Sequence, residues 1–313
     1  MLLMFLAVVA VFFSTMSYAE NDDKKNDDVP YWSRLKSHEM NTIGFTYDDD
    51  DVLFMDFKIS LKYPLFHSGK PTPPAFGFLP YRPYFAFTGR FGQYITTRDS
   101  SPVISKRFNP ELFVRGWFSG DSKNEHFISL AYGHESNGQS IDTLDEYLGK
   151  RNSFKVSDED PDFANDYISR GWDYIGFNWQ RTEVKFSESN TFTGSVTLRY
   201  FLENGLVQGK QEEYNSWEEN PEGKPRKYVD GIRLKVGRKV LFKNDFFSSG
   251  RVSFSLTTGY SHLLKYNTYR VDWGVEIINM PLNIWFSSGY NSDLAEYYNK
   301  VTSFGIGVNL YSN

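Results

Sequence analysis

From residue 41 onward, apolar and polar side chains alternate with a period of two over most of the chain. Leu53, Met55, Phe57, Ile59, Leu61 and Tyr63 interleave with Asp56, Lys58, Ser60 and Lys62. Gly194, Val196, Leu198 and Tyr200 interleave with Thr193, Ser195, Thr197 and Arg199, and Phe304, Ile306, Val308 and Leu310 with Ser303, Gly305, Gly307 and Asn309. Successive side chains of a strand point to opposite faces, so each run predicts a strand with one apolar and one polar face. The pattern gives twelve such strands, at 42–47, 51–63, 83–97, 111–119, 125–136, 168–180, 191–202, 227–241, 250–261, 265–279, 281–290 and 301–311. An even number lets an antiparallel sheet close with both ends of the chain on one side.

The expected class is all-β, but alternation alone fits two opposite solids. A soluble exported sandwich keeps the apolar face inside, and a transmembrane antiparallel β-barrel turns it outward. Three features favour the barrel. Several strands approach the length of about 9–11 residues that a tilted bilayer crossing needs. The polar faces carry many Gly, Ser and Thr, which suit a narrow lumen, and the chain carries an apparent export signal. Aromatic residues make up 18% of the chain, with 21 Tyr and 28 Phe, yet mean hydropathy is −0.50. Many rings on a polar average is what lipid-facing alternation produces.

Residues 1–19 read as a signal peptide, with an apolar stretch from Leu2 to Phe13 and Ser17-Tyr18-Ala19 ahead of Glu20. Residues 20–40 form a polar leader too charged at its start to pack, and 41–313 form a single barrel domain. The segments 137–167 and 203–226 read as loops outside the membrane. Cysteine is absent, which excludes disulfides, a thiolate nucleophile and Cys-based metal sites. A net charge of −5, with no basic cluster, gives no general attraction to nucleic acid.

The stretch Gly133-His134-Glu135-Ser136-Asn137-Gly138 carries the candidate chemistry. His134 and Ser136 lie two residues apart at the end of a strand, on one face, with Cα atoms about 6.6 Å apart. An imidazole and a hydroxyl so placed form a base and nucleophile pair. Their parity continues through Tyr132, Leu130 and Ile128, so the pair ends an apolar stripe, which suits a substrate arriving through lipid. Asp173 heads a similar stripe with Ile175, Phe177 and Trp179 on the next strand. As a hairpin neighbour it comes beside His134, where a carboxylate can hold the ring. The other four histidines have no comparable setting.

Ser100-Ser101-Pro102, Pro110-Glu111-Leu112-Phe113, His134-Glu135-Ser136-Asn137-Gly138 and Ser169-Arg170-Gly171-Trp172, in that order, resemble the motifs of bacterial outer-membrane phospholipase A. The resemblance runs loosely from about residue 41 to the end and is sharp at these motifs. It implies a Gram-negative outer-membrane barrel that cleaves acyl esters of phospholipids, needs Ca²⁺, and acts as a homodimer. By position, Ser136 matches the nucleophile, His134 the base, and the Gly138 amide part of the oxyanion hole. The calcium ligands map onto the Gln139 carbonyl and Ser169 hydroxyl of one subunit and Ser100 of the partner subunit.

Three departures accompany the match. Asp173 stands where the family usually has asparagine, so an Asp173→Asn variant is expected to keep activity with a shifted pH profile. Gly89 falls where a glutamine bonding across the dimer is expected, and the chain ends Tyr311-Ser312-Asn313 without a terminal phenylalanine. The run Asp158-Glu159-Asp160-Pro161-Asp162 resembles the start of an EF-hand, but Phe163 stands at the required glycine and Ser169 at the final glutamate, so it reads as solvated charge. The reading from another class is a non-enzymatic outer-membrane barrel, a small porin or structural protein, in which Ser136 and His134 are incidental.

Overall fold

Twelve antiparallel strands, each hydrogen-bonded to the next and the last to the first, close a barrel in the computed structural model. The structure describes residues 35–49, 52–65, 80–95, 97–98, 102–118, 125–184, 190–218, 220, 222–242, 246–278 and 280–310. The stretch expected as a signal peptide, most of the expected leader and Ser100 lie outside the described residues. A two-residue strand β1 (Lys36–Ser37) pairs with β3 just before the barrel begins. The barrel strands are β2 (Asn41–Asp48), β3 (Leu53–Pro64), β4 (Tyr81–Tyr94), β5 (Val103–Trp117), β6 (Glu125–Ser136) and β7 (Gly171–Val184), followed by β8 (Asn190–Phe201), β9 (Gly231–Leu241), β10 (Phe247–Gly259), β11 (Asn267–Ile277), β12 (Met280–Gly289) and β13 (Val301–Leu310).

The apolar parity faces outward. Ile43, Phe45, Phe85, Phe87, Leu112, Leu130, Ile175, Leu198, Val252, Phe254, Phe304 and Ile306 are exposed, while Thr46, Asp56, Ser60, Asn109, Ser129, Asn283 and Asn309 on the other parity are buried. An apolar exterior around a polar interior is stable in a bilayer, where closure satisfies every backbone group. The soluble sandwich is thereby excluded. Inside, Arg90 holds Asp56 through Nε at 3.0 Å and Nη2 at 2.7 Å, and the Ser60 and Thr88 hydroxyls meet at 2.6 Å. Trp285 lies across Gly305, where a Cβ would come 2.1 Å from the indole. These side chains fill the lumen as a scaffold.

Three elements differ from the alternation. The strand expected at 111–119 begins eight residues earlier, at Val103, and runs through Asn109 and Pro110. Residues 227–229, expected as the start of a strand, join Arg226 in a one-turn helix α2 (Arg226–Val229), and β9 begins at Gly231, whose φ of +126° favours glycine. The 137–167 segment holds α1 (Leu144–Val156) and a 3-10 helix (Pro161–Tyr167). The signal for α1 was local. Thr143 accepts from the Glu146 amide while the Glu146 carboxylate takes the Thr143 amide, a capping box.

The apolar core lies beneath the loops at one end of the barrel. Trp172, Tyr174, Phe201, Val229, Leu294 and Tyr297 pack together there, and beside them Ile141, Tyr147, Ala164, Ile168 and Ala295. Arg98 docks the 3-10 helix onto the barrel through Asp166 at 2.6 Å, and burial pushes the Asp166 carboxyl up to about 6. The candidate residues sit at this packed end.

Candidate active site

Sheet register places the candidate groups. In the β6–β7 ladder His134 is opposite Asp173, and Ser136 is opposite Gly171. Directly opposed residues bring their side chains together on one face. His134 Nδ1 lies 2.8 Å from Asp173 Oδ1, a charge-assisted bond that fixes Nδ1–H and leaves Nε2 free to accept. Ser136 shares the His134 parity and the outer face. Among the described residues its hydroxyl has no hydrogen bond, so it stays free toward Nε2 or a substrate.

The strand end is braced from behind. Pro110 stands opposite His134 in the β5–β6 register and has no N–H to give its carbonyl. The Asn109 Nδ2 fills that place, donating to the His134 carbonyl at 2.8 Å, and lies 2.7 Å from the Tyr174 hydroxyl. This explains why β5 runs through a proline. Next along, Asn137 is buried, donating to the Ile168 carbonyl at 2.8 Å and accepting from the Arg170 amide at 2.9 Å. Asn137 thus ties the end of β6 to the start of β7. Gly138 follows at φ +60°, a left-handed turn that would strain a side chain.

Asp173 is not a rim carboxylate among headgroups, since its side chain is 0% exposed and that of His134 only 12%. The loop between β8 and β9 covers it. Asp173 Oδ2 accepts from the Tyr132 hydroxyl at 2.5 Å and the Val207 amide at 2.7 Å, and the Gln208 amide reaches both oxygens at 3.2 Å. Tyr132 in turn accepts from the Leu206 amide at 2.7 Å. Arg170 points inward and pairs with buried Glu218, leaving Asp173 to His134.

Of the residues matched to calcium ligands, Ser169 Oγ donates to Glu212 Oε2 at 2.9 Å, and Gln139 Nε2 donates to the Ile104 carbonyl at 3.0 Å. Gln208 Nε2 donates to the other Glu212 oxygen at 2.5 Å. Ser100 lies outside the described residues. A hydroxyl and a carboxylate are hard oxygen donors, which fit Ca²⁺ in kind. Among the described residues no cluster of three His, Cys, Asp or Glu could hold a metal, the EF-hand-like run included.

Sequence reasoning missed Tyr132, Asn109, Val207, Gln208 and Glu212. Asn109 had a signal, an amide side chain immediately before a proline inside a strand. Tyr132 had its parity with His134, and the rest had none, because a loop amide carries no side-chain signature and Glu212 is one carboxylate among several in an acidic loop.

Against known proteins, no family model matches this chain and no curated protein matches it in sequence. Solved structures do match in fold. An active-site mutant of Escherichia coli outer membrane phospholipase A superposes with a TM-score of 0.61 at 18% identity, covering 92% of this chain and 95% of that one. The Escherichia coli outer membrane phospholipase A itself gives 0.60 at 17% identity over 89% and 98%. The calcium-bound Salmonella typhi outer membrane phospholipase dimer gives 0.59 at 16% identity over 92% and 95%. At these identities the likeness establishes the fold, a closed twelve-stranded barrel like those of outer-membrane proteins.

Proposed function

We propose that this chain is a calcium-dependent outer-membrane phospholipase that hydrolyses acyl esters with Ser136, His134 and Asp173. The observation that carries the reading is the alignment of the three residues on the outer barrel face, with His134 bonded to Asp173 at 2.8 Å. A catalytic group on that surface meets lipid laterally, which suits a phospholipid and suits no solute passing through a lumen.

Ser136 Oγ attacks the ester carbonyl carbon while His134 Nε2 takes its proton, and Asp173 stabilises the imidazolium that forms. The Gly138 amide serves the oxyanion. As the tetrahedral carbon collapses, the imidazolium returns the proton to the departing lysophospholipid oxygen. A water then gives its proton to His134 and attacks the acyl-serine, releasing the fatty acid and restoring Ser136. Ser169 and Glu212, with the Gln139 carbonyl and Ser100 of the partner subunit, would hold calcium. When bound, the ion supplies positive charge near the developing oxyanion.

The test is release of fatty acid from phosphatidylcholine in detergent micelles, with calcium or with a chelator. Chelation is expected to lower the rate by at least about 10-fold. A Glu212→Gln variant is expected to need about 10-fold more calcium for half-maximal rate, in the usual range for losing a partner of a metal ligand. No hydrolysis by the parent with calcium, together with ion conductance across a planar bilayer, would favour the porin reading.

A further inference from the structure

Resting on the proposed hydrolase, we propose that the loop between β8 and β9 is a positioning element of the site. Its backbone amides dictate a carboxylate at residue 173 and thereby set the His134 tautomer. The argument turns on which partners can change role. Asp173 Oδ2 receives the Val207 amide at 2.7 Å, the Gln208 amide at 3.2 Å and the Tyr132 hydroxyl at 2.5 Å, while Oδ1 receives His134 Nδ1 at 2.8 Å. A tyrosine hydroxyl can turn from donor to acceptor, and a backbone amide cannot.

An asparagine at 173 therefore has two arrangements, both unfavourable. With its carbonyl toward the loop it satisfies the Val207 and Gln208 amides but points its NH₂ at His134 Nδ1. The ring must then accept there and carry its proton on Nε2, the nitrogen that has to receive the Ser136 proton. With its carbonyl toward His134, it sets an NH₂ against the Val207 N–H and leaves that part-buried donor without its acceptor. The loop favours the first arrangement. On this proposal asparagine is not tolerated at 173, against the expectation drawn from the family resemblance, and the reason is one that no strand pattern contains.

Close packing holds the loop in place. A Cβ on Gly205 would lie 1.9 Å from Asp173 Oδ2, and one on Gly171 would lie 2.1 Å from the Gln208 carboxamide oxygen. Gly205 lets the loop backbone come down onto the carboxylate, while Gly171 leaves room for the end of the Gln208 side chain. The Leu206 and Val207 side chains stay exposed, so the grip is made by backbone.

The experiment compares Asp173→Asn, Gly205→Val and the double variant, each shown folded by its far-ultraviolet circular dichroism in detergent. Asp173→Asn is expected to lower kcat about 1,000-fold with KM within about 3-fold of the parent, the pattern of a wrong tautomer. Gly205→Val, which lifts the loop but keeps the carboxylate, is expected to cost about 10-fold. The double variant is expected to recover at least about 10-fold over Asp173→Asn alone, because the freed asparagine can turn its carbonyl to His134. A merely structural loop would instead make the double variant worse, which would overturn the proposal.

Nitrogen-15 spectra of the histidine ring, recorded in the Ser136→Ala background, supply a readout that does not depend on hydrolysis. His134 should carry its proton on Nδ1 with Asp173, on Nε2 in Asp173→Asn, and on Nδ1 again in the double variant. An Nδ1 proton in all three would overturn the proposal even if the chain is a phospholipase. Absence of hydrolysis by the parent, with the predicted tautomer changes intact, would instead overturn the hydrolase reading alone.

Discussion

Ser136→Ala is expected to lower kcat for phospholipid hydrolysis by at least about 10,000-fold and to leave the barrel intact. In serine hydrolases that use a nucleophile and base as a unit, loss of the nucleophile removes the covalent route, and what survives comes from binding and the oxyanion site. The change should cost little stability. The Ser136 hydroxyl has no hydrogen bond among the described residues, and its outer face is not packed against the core. KM should stay within a few-fold, since the hydroxyl contributes to the attacking step more than to lipid docking. The measurement is initial rate in detergent micelles with calcium, beside urea unfolding of both proteins. Equal rates would remove Ser136 from the mechanism and leave a barrel with an incidental His134–Asp173 pair.

How far the sequence could be read follows from the range of the interactions that fix each part. All twelve barrel strands were legible because lipid outside and ion pairs inside impose a period of two, and that constraint repeats along every strand. The juxtaposition of His134 with Asp173 was legible for a related reason, since hairpin register carries it from one strand to the next. Departures came where side chains replace the ladder. Asn109 takes the place of the amide that Pro110 lacks, which lets β5 extend back to Val103. Thr143 and Glu146 cap a helix in a segment without strand alternation.

The loop over the site was illegible for a different reason. Residues 203–212 look like solvated charge by composition, yet three of their amides, those of Leu206, Val207 and Gln208, end on Tyr132 and Asp173. Backbone donors are the same in every residue, so only the fold reveals which ones are used. The reading of Asp173 as a tolerated exchange for asparagine treated the side chain as if only His134 faced it. Its side chain is buried and meets four donors, and on the proposal above those surroundings call for a carboxylate.

Glu135→Gln is expected to destabilise the barrel by about 3–5 kcal/mol, the usual cost of stripping one partner from a buried ion pair. Glu135 lies between His134 and Ser136 but faces the lumen, with a side chain 2% exposed. Arg226 bonds its Oε2, and Arg107 and Arg199 approach Oε1 at 3.7 and 3.5 Å. Asp230 supplies a second carboxylate, 3.1 Å from Arg226. Removing the Glu135 charge leaves that single anion to three guanidiniums, Arg226 fully buried and Arg107 and Arg199 partly so. Arg226 is the most affected, because its Nε and Nη1 already lack hydrogen-bond partners among the described residues. It is also held over the rings of Trp172 and Phe201, at 4.4 and 4.6 Å, so it cannot swing to water without opening the core beneath the loops. The predicted loss should appear as a lower urea midpoint and faster heat inactivation in detergent. At low temperature kcat should remain within about 10-fold of the parent, since the Glu135 side chain lies on the face opposite the Ser136 and His134 side chains. An unchanged midpoint would show that the three arginines are compensated by water within the lumen and that the strand end bearing the site is braced by Asn109 and Asn137 alone.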